Sequence, residues 1–290
     1  MKVITDTAAN LGPEKARELG VEVVPFHVTF MGKTYRDDTE ISPEELYRLF
    51  SENPGQFPTT SQPSVGDFVA FYQKYREEEI ISVQLSSGLS GTYSAAVTAA
   101  QMVPDGRISV VDSKTLGPVQ GWMVEVAARG AKLGWTMERT LKAVQRFREN
   151  SLILFTIGDL KYLIHGGRID HLHSLIGSLL KIKPVIGMND EDGRYKTFSQ
   201  EMTMSRAMRK MAEMIANRFG KQKMRIQLAH GNNLPGIELL RVAVSDMLDC
   251  IEDKLLAVTP VLGAHTGPSL VGVAAVPAVI ADELMGALSP

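Results

Sequence analysis

Short segments rich in Val and Ile alternate with longer amphipathic segments through the first half of this chain, and this alternation constrains the fold most. β-Branched residues favour strands, whereas apolar residues spaced three and four apart predict helices. Strands joined by helices in this way favour a mostly parallel sheet with helices on both faces. The predicted strands of this half are Val3–Thr5, Val21–Phe30, Ile80–Leu85, Ile108–Val111 and Leu152–Ile157.

The second half has a different pattern, with two long helices predicted at Met204–Phe219 and Pro235–Leu248. Between two apolar segments lies the acidic, glycine-containing turn Asp190–Gly193, which is typical of a β-hairpin. Antiparallel pairing is therefore expected here, in a mixed or antiparallel sheet that also carries helices. We predict two α/β domains, residues 1–157 and residues 158–290.

Charge and cysteine content exclude several function classes. The 290 residues contain 31 Lys and Arg against 33 Asp and Glu, so no overall attraction to nucleic acid or an anionic membrane is expected. Cys250 is the only cysteine, which excludes an internal disulfide and favours a reducing compartment. The first residues turn polar too soon for a signal peptide, and the longest apolar run, Leu270–Ala281, is too short for a membrane span. A cytoplasmic protein is expected.

Hydroxyl side chains are concentrated in loops that follow predicted strands, where open α/β sheets bind ligands. In the loop Ser86–Thr92, glycines allow close approach of the backbone, and amides at the helix start favour an anion. The loop has no Lys or Arg and lacks the ending of a phosphate loop, which favours a carboxylate over a nucleotide. Ser64 and Ser90 could instead simply cap the helices that follow them, without any ligand, and that interpretation stays open.

His265 lies in a segment that contains Gly and Pro, so a turn is predicted there and the imidazole is expected to reach into a cleft. The alternative is a histidine at the surface or between domains. His165, His171 and His173 are close in sequence but lack the further ligands of a zinc site, so no metal is expected.

Gly166 and Gly167 precede Arg168, and this pair predicts a loop from which the guanidinium projects toward solvent. It could meet an acid, a phosphate or a partner protein, or it could be an ordinary solvated arginine after a helix end. The basic segment 206–225 could dock an acidic partner but is more often a solvated helix face, and nucleic acid is not an expected partner.

Taken together, these segments resemble the DegV family, the fatty-acid-binding subunits of bacterial fatty acid kinase. The likeness extends over nearly the whole chain, and its most specific motifs are Thr-Ser-Gln-Pro-Ser and Leu-Ser-Gly-Thr, in this order. The segments that carry it are Thr5–Leu11, Tyr35–Asp38, Thr60–Ser64, Leu89–Ala95, Val111–Ser113, Gly166–Ile169, Leu180–Pro184 and His265–Pro268.

The resemblance implies that one long-chain fatty acid binds between two α/β domains, with its acyl chain in an apolar tunnel. It also implies that a separate ATP-dependent kinase phosphorylates the bound carboxylate, so this protein is a carrier without catalytic residues or a cofactor of its own. His265, with an ordinary pKa of about 6.5, would stabilise charge as the acyl phosphate forms. Arg168 would dock the kinase. The residues implied in fatty acid binding are Thr60, Ser61, Ser90, Gly91, Thr92 and His265.

Three positions depart from the family pattern. Thr7 replaces a serine, Ser269 replaces a glycine, and Glu201–Ser205 replaces a run similar to Val-Arg-Gly-Arg. The last two bear on head-group geometry and on partner docking.

Two other functions stay open from the residues alone. One is an acyl hydrolase with Ser90 as nucleophile and His265 as base, although Gly88-Leu89-Ser90-Gly91 is one residue off the spacing of a nucleophile elbow. The other is a protein that binds a phosphorylated small molecule.

Overall fold

The computed structural model describes residues 1–169, 172 and 182–286. The strands are β1 (Lys2–Asp6), β2 (Glu22–Val24), β3 (His27–Phe30), β4 (Lys33–Arg36), β5 (Thr59–Ser61), β6 (Glu79–Gln84), β7 (Arg107–Asp112), β8 (Leu152–Thr156), β9 (Lys183–Met188), β10 (Tyr195–Glu201), β11 (Met224–His230), β12 (Cys250–Glu252), β13 (Leu256–Ala257) and β14 (Val271–Pro277). The helices are α1 (Gly12–Leu19), α2 (Pro43–Glu52), α3 (Val65–Lys74), α4 (Thr92–Gln101), α5 (Gly117–Lys132), α6 (Met137–Glu149), α7 (Lys161–His165), α8 (Met204–Phe219), α9 (Leu234–Ser245), α10 (Pro260–Thr266) and α11 (Ala278–Leu284). No helix within these described residues is long and apolar enough to cross a membrane.

The first half contains the predicted parallel sheet, in which β2, β1, β6 and β7 pair in that order. Successive strand residues face opposite sides of a sheet. Ile4 and Ile80 accordingly pack with α3 and α4, whereas Val3 and Ile81 join an apolar cluster that contains α5. Helices therefore cover both faces, as predicted.

The predicted strand Val21–Phe30 is in fact two strands that belong to two sheets. β2 pairs with β1 in the parallel sheet, whereas β3 pairs antiparallel with β4 and β5. Pro25 separates the two strands, because proline has no N–H to donate to a ladder. The short strands β4 and β5 consist mostly of polar residues, so the apolar pattern did not predict them.

In the second half, β10, β9, β8, β14, β11 and β12 pair in that order, with β13 beside β11. β9 and β10 form the hairpin predicted around Asp190–Gly193, and the predicted fold class is confirmed. β8 was predicted in the sheet of the first half, but it pairs with β14 and β9, so that placement is wrong. All its residues are buried, and such a strand suits the centre of either sheet. The division of the chain into two domains, residues 1–157 and residues 158–290, stays a prediction.

Helix α5 lies between the parallel sheet and the mixed sheet and is buried on nearly all sides. Its residues Trp122 and Met123 share one apolar cluster with Val83 of the parallel sheet and with Phe155 and Ala274 of the mixed sheet. The two halves of the chain therefore share a hydrophobic core.

The loop after β6 meets the tip of the β9–β10 hairpin. The Ser86 hydroxyl donates a hydrogen bond of 2.6 Å to the carbonyl oxygen of Gly193. A Cβ atom at Gly88 would lie 2.5 Å from the carbonyl oxygen of Asp192, so only glycine allows the two backbones to approach this closely. This contact fixes the hydroxyl-rich loop against the second half of the protein.

We expect Gly88→Ala to lower the free energy of unfolding by about 1–3 kcal/mol, because the new methyl group forces the hairpin tip away from the loop. The matched control is Gly66→Ala in α3, where a Cβ atom would meet nothing closer than 3.6 Å. The control should keep or slightly raise stability, since alanine favours helices over glycine. Urea denaturation of both variants checks this, and equal stability of the two would contradict the proposed close contact.

Candidate functional site

Helix α10 carries the candidate histidine and lies against the first half of the protein. Pro260 stands at its first turn, and Gly267, with a φ of +72°, ends it. Proline is favoured at a helix start and glycine just past a helix end, so these residues bound a short helix. His265 lies in the last turn of α10, and its predicted location in a turn is wrong.

His265 joins the two halves of the protein through its side chain. Its Nε2 atom is hydrogen-bonded to the Thr60 hydroxyl on β5 at 2.8 Å. Its Nδ1 atom is buried, without a hydrogen-bond partner within the described part of the chain. Gly166 lies directly beside that atom, and a Cβ atom at position 166 would collide with it. The structure thus brings together Thr60, His265 and Gly166, the first glycine of the pair before Arg168.

Burial and, as the smaller cause, the positive charge of Arg168 lower the pKa of His265 to about 3. The ordinary pKa expected from the sequence is therefore wrong for this protein without a ligand. At neutral pH the imidazole is uncharged, so one ring nitrogen donates a hydrogen bond and the other accepts one. A carboxylate brought beside this ring would raise its pKa, because an opposite charge favours the protonated form.

Ser90 lies in a second group of polar side chains, which Gln62 connects to the Thr60 segment. The Ser90 hydroxyl is hydrogen-bonded to the Thr92 hydroxyl at 2.8 Å and to Gln62 Oε1 at 3.3 Å. A Cβ atom at Gly91 would lie 2.7 Å from the same Gln62 oxygen. The two specific motifs of the sequence are therefore in contact through Gln62. No role was predicted for this residue, although it stands inside the Thr-Ser-Gln-Pro-Ser motif.

The other three predicted binding residues, Ser61, Gly91 and Thr92, differ in exposure and contacts. Ser61 follows Thr60 on the same strand, so its side chain points to the opposite face of the sheet and is exposed. Thr92 is fully buried and supports Ser90 from behind. Gly91 is exposed beside Gln62. The structure does not bring Ser61 into the group that contains Thr60 and His265.

Arg168 is partly buried and its side chain folds back on its own loop. The guanidinium donates a hydrogen bond of 2.5 Å to the carbonyl oxygen of Gly166. The positive charge of Arg168 lowers the pKa of His265, and it also acts to lower the pKa of buried Tyr195. The guanidinium therefore lies near His265, whereas the glycine pair had predicted a side chain that projects into solvent.

A small apolar cavity of about 30 Å³ lies between the two halves. It is bounded by α10, the start of α5 and the strands of the mixed sheet. Leu262 and Thr266 of α10 belong to its wall, so the helix that carries His265 also lines the cavity. The lining residues are Leu116, Gly117, Pro118, Ile153, Phe155, Ala229, Val258, Leu262, Thr266, Leu270, Gly272, Val273 and Ala274.

A much larger cleft of about 1190 Å³ lies between α1, α5 and the strands β11 and β12. Its walls carry charged side chains, among them Lys15, Glu125 and the buried ion pair between Arg225 and Asp253. Ionised side chains disfavour an apolar ligand. The smaller cavity is therefore the better place for an acyl chain.

The hydrogen bonds of the site also bear on the hydrolase hypothesis. A serine nucleophile needs a hydrogen bond to its base. Here the His265 ring is bonded to Thr60, and the Ser90 hydroxyl is bonded to Gln62 and Thr92. In this arrangement His265 is not hydrogen-bonded to Ser90 and does not activate it.

Two of the three histidines considered for a metal site, His171 and His173, lie outside the described residues. The His165 ring stacks on Phe57, with ring centroids 3.6 Å apart. Within residues 1–169, 172 and 182–286, no cluster of three His, Cys, Asp or Glu side chains could hold a metal ion.

Two of the departures from the family pattern have defined partners. The Ser269 hydroxyl accepts a hydrogen bond of 2.9 Å from the Gly158 backbone N–H. Glu201, at the end of β10, forms an ion pair with Arg206 at 3.3 Å. Ser269 thus fixes the loop after β8, and Glu201 places a negative charge beside the start of α8.

A family model described as "Uncharacterised protein, DegV family" matches residues 1–278. A DegV domain-containing protein of Staphylococcus aureus strain N315 is 33% identical over 273 residues, which cover 93% of this chain and 96% of that protein. The resemblance inferred from the motifs is confirmed.

Solved structures show the same fold. A DegV family protein from Thermus thermophilus, described by its fatty acid binding, has a TM-score of 0.85 and 32% identity, covering 95% of this chain and 99% of that chain. DegV from Bacillus subtilis, described as a fatty acid binding protein, has a TM-score of 0.83 and 27% identity, covering 95% and 98% of the two chains.

We expect the His265 imidazole to stay neutral across the range in which an unperturbed histidine, with a pKa of about 6.5, titrates. Between pH 6.5 and about 3 the unfolded chain then binds a proton that the folded chain does not. The contribution of His265 to stability therefore falls as the pH falls through this window. NMR titration of the ring of the protein without fatty acid, assigned with His265→Ala, measures the pKa. A midpoint near 6.5 in the folded protein would rule out the buried neutral ring.

Proposed function

The chain belongs to the DegV family, and we propose that it binds one long-chain fatty acid between its two halves. The carboxylate would meet the hydroxyls of Thr60 and Ser90 and the imidazole of His265, and the acyl chain would enter the apolar cavity beside α10. One observation carries this proposal: α10 presents His265 to Thr60 and lines the apolar cavity with Leu262 and Thr266. A polar head site and an apolar wall on one helix fit an amphipathic ligand.

The energetics favour the tail as the source of affinity. Burying a methylene is worth about 0.8 kcal/mol, so a dozen methylenes contribute on the order of 10 kcal/mol before the costs of ordering. A hydrogen bond to a charged carboxylate contributes about 1.5–3 kcal/mol. Thr60, Ser90 and His265 would therefore set the orientation of the ligand. An acyl chain is larger than the cavity of about 30 Å³, so lining side chains must move when it binds.

We further propose that the protein presents the carboxylate to a separate ATP-dependent fatty acid kinase, which forms the acyl phosphate. In this role the protein is a carrier that needs no cofactor and supplies no catalytic residue. The position of Arg168 beside His265 supports the proposal, since a guanidinium near the head group can meet the phosphate or acidic groups of the kinase. Partial burial of this side chain means that docking would have to uncover it.

Shortening the acyl chain should weaken binding more than loss of a head-group contact does. Removal of four methylenes should lower affinity on the order of 100-fold. Ser90→Ala should lower it about tenfold, by loss of one hydrogen bond to the carboxylate. Isothermal titration with a series of saturated acids, using delipidated protein, measures both effects.

The control for this series is Ser94→Ala, which makes the same change on an exposed position of α4 and should leave affinity unchanged. If Ser90→Ala costs more than removal of four methylenes, the head group and not the tail governs binding. If no acid of any length binds, the proposed function is wrong.

Arg168→Ala should keep the bound fatty acid and reduce acyl phosphate formation by the partner kinase. The hydroxyl groups already satisfy the carboxylate, whereas the guanidinium is the cation that lies near it. Mass spectrometry of the purified variant gives the ligand content, and acyl phosphate formation is followed with kinase, ATP and increasing carrier. Arg209→Ala, on the exposed face of α8, is the matched control. A variant that emerges without lipid would place Arg168 in the ligand site and remove its docking role.

A further inference from the structure

Helix α10, which carries His265, is not capped by the residue at its own N-cap position. Thr259 stands at the N-cap position, but its side chain makes no capping hydrogen bond, and its buried hydroxyl has no partner within the described part of the chain. The first N–H groups of a helix need acceptors, and an uncapped helix start costs free energy. The acceptor for this helix must therefore come from elsewhere.

Asp37 supplies that acceptor from the first half of the protein. Its Oδ1 atom accepts a hydrogen bond of 2.9 Å from the Val261 backbone N–H in the first turn of α10. The Asp37 backbone is itself held, because its N–H donates to the carbonyl oxygen of Phe26 at 2.9 Å. A carboxylate at this end of a helix also interacts favourably with the helix dipole.

The segment before α10 is held by a second residue of the first half. Asn10 donates from Nδ2 to the carbonyl oxygen of Ala257 at 3.0 Å, and its Oδ1 atom accepts from the Thr259 N–H at 3.0 Å. The start of α10 therefore takes its position from Asp37 and Asn10. Its other end places the His265 ring on Thr60, which belongs to the same half.

We infer that Asp37 is a positioning residue of the fatty acid site: through helix α10 it holds the His265 ring in register with the Thr60 hydroxyl. This inference deepens the proposed function and rests on it for the identity of the ligand only. α10 has just 7 residues, so a shift or fraying at its first turn moves its last turn as well. Asp37 touches neither Thr60 nor His265 in any hydrogen bond of the described residues, and it acts through the helix backbone.

Burying the Asp37 carboxyl group costs free energy, and this cost supports a specific role for the side chain. The side chain is fully buried, and loss of solvation raises its pKa to about 7. Thr7 and the Val261 N–H partly offset this effect, whereas the negative charges of Asp38 and Asp6 add to it. If the Asp37 side chain only filled space, an apolar side chain of similar size at this position would make the protein more stable.

The test compares Asp37→Asn, which keeps an acceptor oxygen for Val261, with Asp37→Leu, which has a similar size but no acceptor. In Asp37→Leu we expect at least tenfold faster exchange of the Val261 amide, changed ring shifts and a higher pKa of His265, and about tenfold weaker binding of a saturated fatty acid. Asp37→Asn should restore most of each property. Asp38→Asn makes the same chemical change at the neighbouring position, where no hydrogen bond to α10 exists in the described residues, and should resemble wild type.

The readouts separate positioning from general destabilisation. If Asp37→Leu lowers only the unfolding temperature, with Val261 exchange and the His265 ring as in wild type, the inference is overturned. If Asp37→Leu does not fold, Asp37→Ala, which also removes the acceptor of the Val261 N–H, decides: Val261 amide exchange and a His265 pKa as in wild type overturn the inference as well. If the wild type binds no fatty acid while the His265 ring responds to Asp37, the positioning stands and the proposed function falls.

Discussion

The attachment of α10 to the first half of the protein is the interaction on which the site depends. The helix belongs by sequence to the second half, yet its start is bonded to Asp37 and its last turn to Thr60. Both contacts join residues more than 200 positions apart. Helix α10 is therefore held to the first half at both of its ends.

Burial of polar groups at the junction of the halves determines their charges. Loss of solvation raises the pKa of Asp6 and Asp37 to about 6 and about 7, and it lowers the pKa of His265 to about 3. For the two carboxyl groups, desolvation outweighs the hydrogen bonds that the charged form accepts, and for His265 the charge of Arg168 acts in the same direction as desolvation. Burial therefore brings the titration of Asp6 and Asp37 close to neutral pH and leaves the His265 imidazole uncharged there. A neutral imidazole beside hydroxyl groups would suit the proposed carboxylate ligand, since the ring can gain a proton when the anion binds.

Close contacts between backbones hold the site loops in place. Gly88 lies against the tip of the β9–β10 hairpin, and Gly166 lies against the His265 ring. Ser269 adds a side-chain bond to Gly158 in the loop after β8. Gly88 is therefore a packing position between the two halves, and Gly166 is one within the second half. Their function is to allow approach that a Cβ atom would prevent.

Local patterns in the sequence were enough to determine most helices and strands, the parallel sheet, the β9–β10 hairpin and the residues of the two hydroxyl motifs. Each of these depends on neighbouring residues: apolar periodicity, a proline or glycine at an end, or hydroxyl groups after a strand. Only the tertiary structure decided that β8 joins the mixed sheet, that His265 lies on a helix and is neutral, and that Asp37 caps this helix. These properties depend on burial and on partners far away in the chain, and a local pattern contains neither.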